Sequence, residues 1–141
     1  MPVLIKTAPL KREHQIGSIV RFQEKAYREP VFGTGEHAFI WIDGEGKGGK
    51  DSRLYALGMV TEEPTYEDPK RADTSVRVKV VLTAIEPVRP LTYTQDILPH
   101  RDDPTDRVMH ALAEVICKHA HKKVTMIGRP EADVLKSRFD E

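Results

Sequence analysis

Little in this sequence of 141 residues points to an extracellular or membrane setting. Cys117 is its one cysteine, so no internal disulfide can form and a reducing compartment is the simplest home. No apolar run approaches the ~18 residues that a membrane span needs, and no signal-type apolar core stands near the first residue. A cytoplasmic protein without a membrane partner is expected. An excess of one charge is lacking too. Lys plus Arg number 22 and Asp plus Glu number 22, so no overall field draws in a polyanion, and any nucleic-acid contact has to come from a local patch. Repeats, low-complexity tracts and linkers are missing. With 39% hydrophobic residues, the chain is expected to form one globular domain over 1–141.

What is present reads mainly as strand. Val3-Leu4-Ile5-Lys6 is a short candidate, followed by a second strand at about 17–23. His37-Ala38-Phe39-Ile40-Trp41-Ile42-Asp43 is rich in aromatic and β-branched residues, with Phe39 and Trp41 on one face and Ile40 and Ile42 on the other. The Gly-rich stretch at 44–52 turns the chain, and 53–60 returns as the second arm of a hairpin. After a polar loop at 61–74, the longest strand spans 75–85, where Val76, Val78, Val80 and Leu82 face one way and Arg77, Lys79 and Thr83 the other. Helical signals come late. Asp103 as N-cap and Pro104 at the first position predict a helix to about His119, with Val108, Leu112, Val115 and Ile116 as its apolar stripe. A strand at 124–127 and a helix over Glu131 to Phe139 close the chain. Strands first and helices later predict an α+β fold with a sheet that bends or closes.

Four patterns in the sequence bear on chemistry. Gly44-Glu45-Gly46-Lys47-Gly48-Gly49-Lys50 matches half of a phosphate-binding loop, but Asp51 stands where Ser or Thr is needed and a strand follows. Without a helix N-terminus to aim N–H groups at an anion, a basic hairpin loop is the better reading. Cys117, His119 and His121 fall at i, i+2 and i+4, so only Cys117 and His121 share a helix face, and no metal or other cofactor is expected. His100-Arg101-Asp102-Asp103 lies in a Pro-bounded loop and gives no acid–base pair, so no catalytic residue is assigned. The remaining pattern is aromatic. Trp41, with Phe39 and Asp43 on its strand face, Tyr55 on the returning strand, and Phe32 and His37 before it, would make a floor for a flat heterocycle such as a nucleobase, with Ser52 as a hydrogen-bonding partner. The plainer alternative is that Trp41 and Phe39 are core.

A resemblance gives this pattern a context. Ala38-Phe39-Ile40-Trp41-Ile42-Asp43-Gly44, then Tyr55-Ala56-Leu57-Gly58-Met59-Val60 and the Glu63-Pro64 loop, resemble the core of EVE domains, members of the PUA-like superfamily that also holds the YTH readers of methylated RNA. Val78 to Leu82 with Pro87-Val88-Arg89-Pro90-Leu91, and Val124 to Ile127 with the last helix, are similar to later parts of that family. The helix after Pro104 and the Gly/Lys loop are longer than the family pattern. The resemblance implies a PUA-like bent, partly closed β-barrel of five or six mainly antiparallel strands with two or more flanking helices. It also implies non-enzymatic binding of modified DNA or RNA, with a base flipped into an aromatic pocket. Trp41 would be the pocket aromatic, with Asp43 and Tyr55 beside it by strand facing. Lys47, Lys50, Arg53, Arg77 and Lys79 are the expected phosphate contacts. The alternatives are an interaction or regulatory module that keeps the fold without a base pocket, and a nucleotide-using enzyme.

Overall fold

The computed structural model describes residues 1–10, 14–27, 32–43, 52–68, 73–118 and 123–140. Six strands come first: β1 (Val3–Thr7), β2 (Ile19–Tyr27), β3 (His37–Ile42), β4 (Arg53–Val60), β5 (Thr65–Tyr66) and β6 (Asp73–Ile85). Helices α1 (Thr94–Ile97) and α2 (Arg107–Ala113), strand β7 (Val124–Met126) and helix α3 (Arg129–Ser137) follow. The sheet runs β2-β6-β4-β3-β1-β7, with β5 attached to β6. Its pairs are antiparallel except β1 with β3, which run parallel. The predicted hairpin is in place, from His37 opposite Met59 to Ile42 opposite Arg53.

The sheet curls until its ends meet. The Lys123 N–H, just before β7, donates to the Lys25 carbonyl of β2 at 3.0 Å. Period-two alternation then divides the apolar residues into two clusters. Val3, Ile5, Phe22, Ile40, Val76, Val78, Val80 and Leu82 fill the inside of this half-barrel. Leu4, Phe39, Trp41, Leu54 and Leu57 face outward and are covered by Ile97, Met109, Leu112 and Leu135 of the helices. Gly58 sits where the β4–β6 register shifts, and a Cβ there would lie 2.3 Å from Val80 Cγ1 and 2.5 Å from the Val81 carbonyl oxygen. Only glycine allows the two strands to approach so closely.

The helices depart from the sequence expectation in identifiable ways. Asp103 does not cap α2, because its carboxylate turns onto the Thr105 N–H at 3.0 Å and the Thr105 hydroxyl, in an Asx-type turn. Asp106 is the cap, accepting from the Met109 N–H at 3.1 Å. α2 stops at Ala113 and continues as a π-turn over Glu114–Lys118. α3 begins two residues earlier than predicted, since Pro130 is best placed in a first turn. Among the described residues no helix is long and apolar enough to cross a membrane.

Candidate nucleic-acid interface

β1 carries an anomaly. Its burial is complete over Val3–Thr7, yet the fourth residue is lysine. Alternation places Lys6 on the same outward face as Leu4, in register with Trp41 of β3. Lys6 is 3% exposed, and its Nζ donates to the Val115 carbonyl of the π-turn at 2.8 Å. Burial, and then repulsion from Lys123, push its pKa down to about 8, while Asp43 and Cys117 pull weakly the other way. Burial likewise raises the Cys117 thiol.

Around Lys6 the closing ends of the sheet gather polar groups into a mouth. The Lys6 N–H donates to the Lys123 carbonyl at 2.7 Å, and the Asp43 N–H donates to the Thr7 carbonyl at 2.8 Å. The buried Thr7 hydroxyl donates to Glu24 Oε1 at 2.8 Å. Lys123 Nζ lies 3.5 Å from the exposed Asp43 carboxylate. Strands β1, β2 and β3 and the start of β7 thus bring two cations, two carboxylates and a hydroxyl to one end of the half-barrel. Asp43 and Lys123 are the members open to solvent, able to accept from and donate to the edge of a base, while Lys6 and Thr7 are buried and spend their donors inside. Among the described residues no group of His, Cys, Asp and Glu could hold a metal ion.

Of the residues expected to contact a base, Asp43 stands in this mouth. Trp41 does not. It is 1% exposed, packed among Leu4, Leu54, Ile97 and Leu112. Its indole N–H is satisfied internally, donating to Thr94 Oγ1 at 2.9 Å and Ser52 Oγ at 3.2 Å. Thr94 Oγ1 also donates to Ser52 Oγ at 2.9 Å, so Ser52 serves the same network. Phe32 is 5% exposed and belongs to the inner cluster, and the half-buried Tyr55 packs against that cluster. The expected aromatic floor is therefore core: the helices that follow β6 cover Trp41 and Phe39, and the barrel interior takes Phe32. His37 lines a separate cleft of about 480 Å³ with Glu36, Phe39, Arg129 and Asp133.

The expected phosphate contacts also disperse. Lys47 and Lys50 lie outside the described residues. Arg53 pairs with Glu86 at 3.3 Å. Arg77 and Lys79 line a groove of about 470 Å³ on the outward face of β2 and β6, together with Arg21, Gln23, Glu62 and Glu63. The sequence reading missed Lys6, Thr7, Glu24 and Lys123. A lysine in the short strand that begins Val3-Leu4-Ile5 is the only trace of this in the sequence, and its spacing does not tell burial from exposure.

No protein-family model and no curated protein matches this sequence. Solved structures do. The DUF55 domain of human thymocyte nuclear protein 1 aligns over 100% of both chains, with a TM-score of 0.64 at 13% identity. Human THYN1 protein in complex with 5-methylcytosine containing DNA aligns over 99% of this chain and 98% of that one, with a TM-score of 0.59 at 14% identity. The expectation drawn from Ala38 to Gly44 and Tyr55 to Val60 holds at the level of architecture: this chain has the PUA-like fold of the DUF55 (EVE) domain.

Proposed function

We propose that this chain is a non-enzymatic nucleic-acid-binding domain of the cytoplasm that takes a modified base at the polar mouth of its half-barrel. The observation that carries this reading is the end-to-end likeness to a protein solved with 5-methylcytosine containing DNA. The chemistry of the mouth agrees with it. Asp43 is an exposed acceptor of the kind that takes an exocyclic amine, and Lys123 and Thr7 stand beside it. Below its pKa of about 8, Lys6 adds a buried positive charge behind them. In this reading Trp41 acts by positioning: it is paired in register with Lys6 and bonded to Ser52 and Thr94, so it fixes the strand ends that carry the mouth.

The test is fluorescence anisotropy with labelled DNA and RNA oligonucleotides, each with and without a modified base, beginning with 5-methylcytosine. One modified oligonucleotide is expected to bind roughly tenfold more tightly than its plain counterpart, a difference of about 1.4 kcal/mol. Asp43→Asn should reduce that preference. Equal affinity for modified and plain oligonucleotides across the set would overturn the reading.

A further inference from the structure

Among the described residues nothing packs over Arg21, Gln23 and Arg77 on the outward face of β2 and β6, and positive charges gather there. Arg21, Gln23 and Lys25 alternate along β2 and all three are exposed, as is Arg77 on β6. The register sets Arg21 directly opposite Lys79 and Gln23 opposite Arg77. Like charges directly opposite on one sheet face are destabilising. The Lys79 amine is met by Glu62 at 3.1 Å, but Arg21 and Arg77 have no carboxylate partner among the described residues. Charged residues on an outermost strand, lysine above all, can serve only to discourage edge pairing, but that role does not call for two cations facing each other across β2 and β6. Glu62 and Glu63 line the same groove, Glu62 against Lys79 of β6.

We infer that this face is a phosphate track, along which Arg21, Arg77 and Lys25 hold the backbone of the nucleic acid whose base enters the mouth. The inference rests on the function proposed above and deepens it by giving the backbone a path. Charge complementarity commits the surface to a polyanion: unpaired guanidinium groups are planar donors suited to phosphate oxygens. The carboxylates of Glu62 and Glu63 repel phosphate and confine the strand to the β2 side. The path is continuous with the mouth, because the Lys25 carbonyl is the acceptor of the Lys123 N–H where the sheet closes. From Arg21 to Lys25 the track is about 14 Å long at strand spacing.

The test compares the wild type, Arg21→Ala/Arg77→Ala and Arg21→Lys/Arg77→Lys in binding to modified and plain oligonucleotides over a salt series. The alanine variant should keep the wild-type melting temperature. Its slope of log K against log[salt] should be shallower by about 1.8 on duplex DNA, or about 1.4 on a single strand. Affinity should fall equally for modified and plain oligonucleotides, leaving the preference between them unchanged. The lysine variant keeps the charge and should retain the wild-type slope. A slope that does not move in the alanine variant, while the wild type still prefers the modified base, overturns the track alone and turns the groove over to a protein partner. A wild type that binds no oligonucleotide overturns the functional reading and the track with it.

Discussion

One face of one sheet is put to two uses in this molecule. Over β3 and β4 the outward positions are Phe39, Trp41, Leu54 and Leu57, and helices bury them. Over β2 and β6 the outward positions are Arg21, Gln23, Arg77 and Lys79, and nothing among the described elements covers them. The alternation that makes both halves is the same. What differs is which later segment returns to pack on each, and that decides whether an outward aromatic is core or a ligand surface. The comparison also sets Lys6 apart, since it is a cation on the covered half, where the lysine has to find a carbonyl rather than water.

Breaking the covered half should have the largest effect. Trp41→Ala removes a fully buried side chain and should cost about 3–5 kcal/mol in denaturant unfolding. Trp41→Phe keeps most of the volume and leaves Ser52 and Thr94 bonded to each other, so it should cost less. A Trp41→Ala protein as stable as the wild type would place the indole at the surface and undo the comparison.

Lys6 sharpens the contrast through pH. Its folded-state pKa is about 8 against an ordinary 10.5. Between those values the unfolded chain holds a proton that the folded chain has lost, so stability rises with pH across this window. Relative to Lys6→Met, the wild type should gain about 3 kcal/mol between pH 7 and pH 11, read from denaturant midpoints at each pH. A pH-independent difference would mean that the lysine is solvated.

Smaller effects are expected elsewhere. Gly58→Ala forces a methyl group against Val80 and the Val81 carbonyl and should cost about 1–3 kcal/mol by thermal or chemical melting. On the bare half, Lys79→Ala breaks a solvent-exposed pair with Glu62 and should change stability by only about 0.2–1 kcal/mol. If Lys79→Ala cost as much as Gly58→Ala, the outward face of β6 would not be a solvated surface.

Much of the fold was legible because its signals are local. The β3–β4 hairpin followed from two apolar runs around a Gly-rich turn, and the facing of β6 followed from Val76, Val78, Val80 and Leu82. Two aspartates three residues apart competed for one cap, and the choice of Asp106 over Asp103 depended on a turn made by Thr105. The site was far less legible. Trp41 as core and Trp41 as pocket have the same strand pattern, and the hydroxyl that satisfies its indole lies 53 residues away. Lys6 is only the last residue of a short strand candidate in the sequence, and its burial depends on β1 pairing with β3 on one side and β7 on the other, beneath the π-turn of the chain. Long-range pairing built the mouth, and no spacing rule within β1 announces it.

The central claim is that a modified base is read at the mouth and not on the indole. NMR titration tests it most directly, because the single Trp gives a single indole N–H resonance. With a 5-methylcytosine oligonucleotide, or whichever modified partner binds best, the account predicts shifts at the backbone amides of Lys6, Thr7, Asp43 and Lys123, with the Trp41 indole resonance unmoved. A large shift of the indole resonance with those four amides unchanged would contradict it.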